Sequence, residues 1–224
     1  MNKLGPILVG ASVCLVLAIA LAAPAGAGQA PKALLPRMVI PDASLVRLGA
    51  GLRNKFAFFS TAKDAAASTS DPSDTGADIR RLGRIAGYVR GRNAPGAFSP
   101  RAPKGLQGVA TSVILWRDAR SAAASIRRDI ADDKRFRGKA VEAGKLVSFA
   151  ATKVPSLGIG AALLHIHTRP AGGTDRFTTS VVFRVGSLRG NAIVVRGDRK
   201  KADTLALRLA EQLRRRMLTV LRLT

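Results

Sequence analysis

The chain has 224 residues and a net charge of +23, from 37 Lys+Arg against 14 Asp+Glu, with 47% hydrophobic residues, 4% aromatics and one cysteine. The apolar fraction excludes a wholly disordered chain, and one cysteine excludes a disulfide framework. The length suits one domain with extensions, and composition alone specifies no reaction.

The N-terminus reads as an export signal. Met1-Asn2-Lys3 is a short positive start, Ile7 to Ala23 is apolar, and Pro24-Ala25-Gly26-Ala27 supplies small residues for cleavage after Ala27. An uncleaved anchor is the alternative, since the apolar run is near the lower limit of about 17 residues for a span. Lipid attachment at Cys14 is disfavoured, because Val13 precedes it and the cysteine lies inside the apolar run. Cleavage would remove Lys3 alone among the charged residues and leave no cysteine. Export without disulfides suits a bacterial envelope or medium, and the Arg and Ala richness points the same way. The expected division is a signal over 1–27, an extended lead-in and linker over 28–76, and a folded domain over 77–224.

Within the lead-in, Ser44 to Leu52 and Phe56-Ala57-Phe58-Phe59 suggest a short strand or helical turn that docks through its phenylalanines. Ala65 to Thr75 is small, polar and Pro-containing, as in a loop. Asp78 to Arg84 resembles one or two helical turns, and Ile85 to Arg90 a first strand. Arg92 to Gly108 reads as a long exposed loop. Val109 to Trp116 is rich in β-branched residues and predicts a strand. Asp118 is a good N-cap. Behind it Ala119, Ala122, Ala123, Ile126 and Ile130 repeat at helical spacing, with Arg120, Arg127, Arg128, Asp132 and Asp133 largely on the wet side.

Four strands are predicted next: Lys145 to Thr152, Ile159 to Thr168, Phe177 to Val185 and Asn191 to Arg196. In the third, Phe177, Thr179, Val181, Phe183 and Val185 share one face. Gly186 to Gly190 reads as the hairpin turn to the fourth. A last helix runs from about Asp198 to Leu223, with Leu205, Leu209, Leu213 and Val220 on its apolar face. Short connections favour antiparallel pairing. The expected fold is α+β: an antiparallel sheet of five or six strands with two main helices packed on it.

The run Leu82-Gly83-Arg84-Ile85-Ala86-Gly87-Tyr88, the strand Ser112-Val113-Ile114-Leu115-Trp116, the opening Arg117-Asp118-Ala119 and the stretch Val182-Phe183-Arg184-Val185-Gly186 come in a familiar order. This order resembles secreted actinobacterial-type proteins of unassigned role and, more loosely, the PsbP-like α/β/α sandwich. The resemblance covers roughly residues 78–222. It implies a fold and an envelope or extracellular setting, and it lends no active-site residues.

Candidate chemistry is sparse. His165 and His167, the only histidines, share one strand face about 7 Å apart. Zinc sites use three or four protein ligands, so a metal is disfavoured and a partly covered sheet face is the simpler reading. Asp132-Asp133 sits among Lys134, Arg135 and Arg137 and reads as solvated charge balance. Asp198 or Asp203 suits a helix cap. Gly49-Ala50-Gly51 and Gly158-Ile159-Gly160 lack the third glycine of a dinucleotide fingerprint, and no P-loop is present. Ser187 lacks the spacing of a nucleophile elbow.

Charge is the strongest unusual feature. The chain has 26 Arg and 11 Lys, and Arg grips phosphate or carboxylate in a bidentate manner. Clusters fall at Arg80/Arg81/Arg84, Arg90/Arg92, Arg127/Arg128, Arg196/Arg199/Lys200/Lys201 and Arg214/Arg215/Arg216. A basic surface attracts polyanions. Specific nucleic-acid binding is disfavoured because no aromatic platform for base stacking is evident.

The sequence therefore favours an exported, non-enzymatic binding or accessory domain of the cell envelope. Its expected partners are anionic envelope polymers or lipid head groups, met first by Arg199, Lys200, Lys201, Arg214, Arg215 and Arg216. It is expected to need no cofactor or metal, and to have no membrane span once the signal is cut. The alternatives are a small-molecule or lipid carrier with its pocket between sheet and helix, and a metal-assisted hydrolase using His165 and His167.

Overall fold

The computed structural model describes residues 32–49, 51–67, 71, 73–96, 105–141, 144–169, 175–196 and 202–223. The expected signal over 1–27 and the cluster Asp198, Arg199, Lys200 and Lys201 lie outside them.

Two short helices come first, α1 (Leu35–Met38) and α2 (Asp42–Val46), followed by strand β1 (Asn54–Ser60). Helices α3 (Ala62–Ala67) and α4 (Gly76–Arg81) lead into β2 (Arg84–Asn93) and β3 (Leu106–Trp116). Helix α5 (Ala119–Phe136) precedes β4 (Ala140–Val141), β5 (Gly144–Lys153), β6 (Ala162–Arg169), β7 (Arg176–Val185) and β8 (Leu188–Arg196). Helix α6 (Ala202–Arg222) is last. The sheet has eight strands in the order β1-β2-β3-β8-β7-β6-β5-β4, and each neighbouring pair is antiparallel.

The α+β expectation holds, with more strands and helices than the five or six and two expected. The extra strands have identifiable sources. β1 pairs with β2 from Asn54↔Asn93 to Ser60↔Gly87. β2 and β3 both extend into the region expected as a long loop, and β4 adds two residues at the far edge. The β7–β8 turn is tighter than expected. Val185 pairs with Leu188, so only Gly186 and Ser187 turn, with Gly186 at φ +57.

The lead-in is not extended. Leu35, Met38, Val39 and Leu45 are fully buried, and Ile40 and Leu52 nearly so. These aliphatic residues dock the segment, whereas Phe58 and Phe59 of β1 are 47% and 44% exposed. Polar ties fix the docking. Arg92 grips Asp42 with two hydrogen bonds (2.8 and 2.9 Å) and donates to the Leu52 carbonyl (2.9 Å). The Ile40 amide donates to Thr111 Oγ1 (3.2 Å).

Adjacent residues of a strand face opposite ways, and β7 shows that both sheet faces are covered. Val181 and Phe183 belong to a large core with α1, α2 and α6, which contributes Ala206, Leu209, Ala210, Leu213 and Met217. Val182 belongs to a much smaller cluster on the other face, with Ala162, Leu164 and Ile126 of α5. Among the described residues one face is therefore sealed, while the other carries far less packed apolar surface.

Helix α5 begins where expected. The Asp118 carboxylate accepts from the Ser121 amide (2.6 Å), and Ala122 and Ile126 face inward. Helix α4 is closed by a capping box between Thr75 and Asp78, and it ends at Arg81. Gly83 follows at φ +98, in the left-handed region that favours glycine. Arg84 then opens β2 instead of completing a helical turn.

Candidate ligand groove

The thinly covered sheet face bounds a groove of about 1030 Å³. Its floor includes Val89 of β2, Ile114 of β3, Ile193 and Val195 of β8 and Ile166 of β6. Asp64, Ile79, Asp129 and Asp132 line it from α3, α4 and α5. Ile126 and Ile130 of α5 pack toward the β6–β7 side, and Ile114, Ile193 and Val195 stay half-buried. The lining mixes the two kinds of surface: Ser112, Thr178, Ser180 and Asn191 lie among the aliphatic residues of the floor, and four aspartates and three arginines complete it.

Polar groups gather around this space. Arg84 and Arg189, the buried arginines among the described residues, both line it and are 8% and 7% exposed. Arg189 holds Asp129 (2.6 Å) and lies 3.4 Å from Ser125 Oγ. Arg84 Nη2 donates to Ser60 Oγ (2.8 Å) and to the Ser60 carbonyl (3.4 Å). Burial first, and then repulsion from Arg189, pull the Arg84 guanidinium down to about 10. Arg80 and Arg81, its expected cluster mates, are exposed on α4. Arg90 and Arg92 likewise do not form a free basic patch, because Arg92 is bound to Asp42.

The acidic pair of α5 differs from its expected role. Asp133 is 9% exposed, and Asp132 lines the groove while pairing with Arg128 (3.4 Å) and Arg135 (3.3 Å). Burial pushes the Asp132 carboxyl up despite both arginines. Arg128 also pairs with Asp74, and Arg135 with Asp71. These pairs join α5 to the chain before α4, so the segment expected as a loop is bound to the groove's helical wall.

The two histidines lie on the opposite face and serve different partners. His165 Nε2 is 2.8 Å from Asp203 Oδ1, which also accepts from Thr179 Oγ1 (3.2 Å). Asp203 thus ties the first turn of α6 to the sheet. His167 stacks on Phe177 at 4.5 Å and has Nε2 3.1 Å from Asp175, without the alignment of a hydrogen bond. No group of three His, Cys, Asp or Glu capable of holding a metal occurs among the described residues.

Asp175 is held at about 2, chiefly by its hydrogen bond from Arg169, with help from His167. Its folded value lies below the ordinary 3.8. The pair therefore stabilises the fold fully above that ordinary value, and the effect is lost as pH falls through about 2. Arg169→Ala is expected to move the Asp175 titration up toward its ordinary value, read by NMR of the side-chain carboxyl.

Arg214, Arg215 and Arg216 are consecutive on α6. At 3.6 residues per turn they fan over about 200° of helix surface. Arg215 is exposed, while Arg214 and Arg216 flank the buried Leu213 and Met217. No helix among the described residues is long and apolar enough to cross a membrane.

No known family model matches the chain, and no curated protein matches it in sequence. A solved structure does resemble it: the extracellular domain of PknH from Mycobacterium tuberculosis, at a TM-score of 0.58 and 11% identity, covering 87% of this chain and 100% of that one. The likeness is one of fold. It gives no support to the PsbP-like resemblance.

Proposed function

We propose that this chain is an exported, non-catalytic binding module whose groove takes an amphipathic small molecule. The observation that carries the reading is the thinly covered sheet face, where aliphatic and polar side chains meet two buried guanidiniums. This corresponds to the carrier reading, in which a pocket lies between sheet and helix. An extracytoplasmic setting is supported by the leader pattern of residues 1–27 and by the extracellular origin of the similar solved domain. The net charge of +23 supports an accessory attraction to anionic envelope polymers or lipid head groups, with Arg199, Lys200, Lys201 and Arg214 to Arg216 as its carriers.

Nile red, a neutral apolar probe, tests the groove directly. Ile193→Trp places an indole on the floor and is expected to weaken probe binding at least about tenfold, the equivalent of 1.4 kcal/mol. Arg215→Glu, on the solvent side of α6, is expected to leave it unchanged. Equal binding by the wild type and Ile193→Trp would end the groove reading.

A further inference from the structure

We propose that Arg84 is a head-group subsite, taking the singly charged oxyanion of an amphipathic ligand whose apolar part lies along Ile114 and Ile193. The inference rests on the groove being a ligand site and adds the chemical class of the ligand. A buried guanidinium is costly unless a carboxylate or a full set of acceptors meets it. Arg189, the other buried arginine among the described residues, follows that rule by holding Asp129, and the half-buried Arg92 and Arg128 hold Asp42 and Asp74. Arg84 forms no ion pair among those seen in the described residues, and its Nε–H, like that of Arg189, has no acceptor there. Ser60 is its hydrogen-bond partner, and the charged groups acting on it are Arg189, Asp129 and Asp64.

A second orphan donor lines the same groove. Trp116 is the register partner of Arg84, is 3% exposed and lines the same groove, and its Nε1–H also lacks an acceptor. Two buried donors without acceptors are complementary to an oxyanion, which presents lone pairs only. The head is singly charged because Asp64, Asp129, Asp132 and Asp133 also line the groove. Gly87 sets the position of the guanidinium. A Cβ there would lie 2.6 Å from Arg84 Nη2, so the side chain rests against bare strand backbone.

Calorimetric titration of the full chain with palmitate, methyl palmityl phosphate and palmityl alcohol tests the proposal. The wild type is expected to bind at least one of the two anions about 10–100-fold more tightly than the alcohol, the range for a charge-assisted hydrogen bond. Arg84→Met is expected to abolish that preference while leaving alcohol binding unchanged. Gly87→Ala keeps the charge but displaces it, and is expected to reduce the preference without changing the melting temperature, which guards against a folding defect in Arg84→Met. The tighter anion identifies the head as carboxylate or phosphodiester. Binding of neither anion more tightly than the alcohol, or a preference that survives Arg84→Met, overturns the proposal while the Nile red result stands. Failure of every probe, Nile red included, removes the groove reading itself.

Discussion

Phe183→Ala is expected to lower the free energy of unfolding by about 3–5 kcal/mol, the range for deleting a buried aromatic ring. Phe183 is 0% exposed on the central strand β7, on the face sealed by α6. Its cross-strand partner is Gly190, and a Cβ at that glycine would lie 2.3 Å from the ring's ζ carbon. The ring occupies the space that a side chain on β8 would otherwise fill. Truncation leaves a void that Gly190 cannot enter, which places the cost toward the upper end. The reverse change, Gly190→Ala, drives a methyl group into a ring with nowhere to go, and overpacking of this kind costs about 1–3 kcal/mol. The two positions are coupled, so Phe183→Leu with Gly190→Ala should cost less than the sum of the single changes. Urea unfolding of the wild type, Phe183→Leu, Gly190→Ala and their double variant measures the cycle, and Phe183→Ala is measured beside them. A loss within about 0.5 kcal/mol for Phe183→Ala, typical of surface positions, would contradict the placement of the ring in the core.

The sequence reveals elements whose signals are local. Asp118 before an i, i+3, i+4 apolar series predicts α5, and the long apolar face of α6 is legible for the same reason. β7 is legible from its β-branched and aromatic residues. β1 gives a weaker signal that leaves strand and helical turn both open, because Phe56, Phe58 and Phe59 occupy both parities and spoil the alternation expected of a strand. Helices α1 and α2 are four and five residues long, too short to show a helical period. Their burial comes from distant partners such as Arg92 and Thr111.

The groove has no local signature, because it depends on how much of one sheet face α5 leaves uncovered. Arg84 illustrates the problem. With Arg80 and Arg81 it has helix-surface spacing, and it joins a basic cluster in the linear chain. Gly83 turns the chain at φ +98, and Arg84 becomes the first, buried residue of β2. The local signal available was the pair of glycines around it: Gly83 to end the helix and Gly87 to leave room for the side chain.

The double variant Leu35→Ala, Met38→Ala is expected to unfold the protein near room temperature. Each side chain is 0% exposed, and truncating a buried Leu or Met to Ala costs about 2–5 kcal/mol. The two lie three residues apart on α1 and share the core with α6, so their losses are not independent. Even so, the combined cost is comparable to the whole stability of a typical domain, about 5–15 kcal/mol. An extended lead-in would behave differently, since its substitution would leave the melting temperature of the sheet untouched. Limited proteolysis separates the two cases. If residues 32–52 are integral, the wild type resists cleavage there and the double variant is degraded across the sheet as well. If the segment were only a tether, trypsin would remove it at Arg37 or Arg47 and leave a folded remainder. Arg92→Ala is a milder test of the same docking. It releases Asp42 and the Leu52 carbonyl together, so cleavage should begin at Arg47 and Arg53 before the sheet opens.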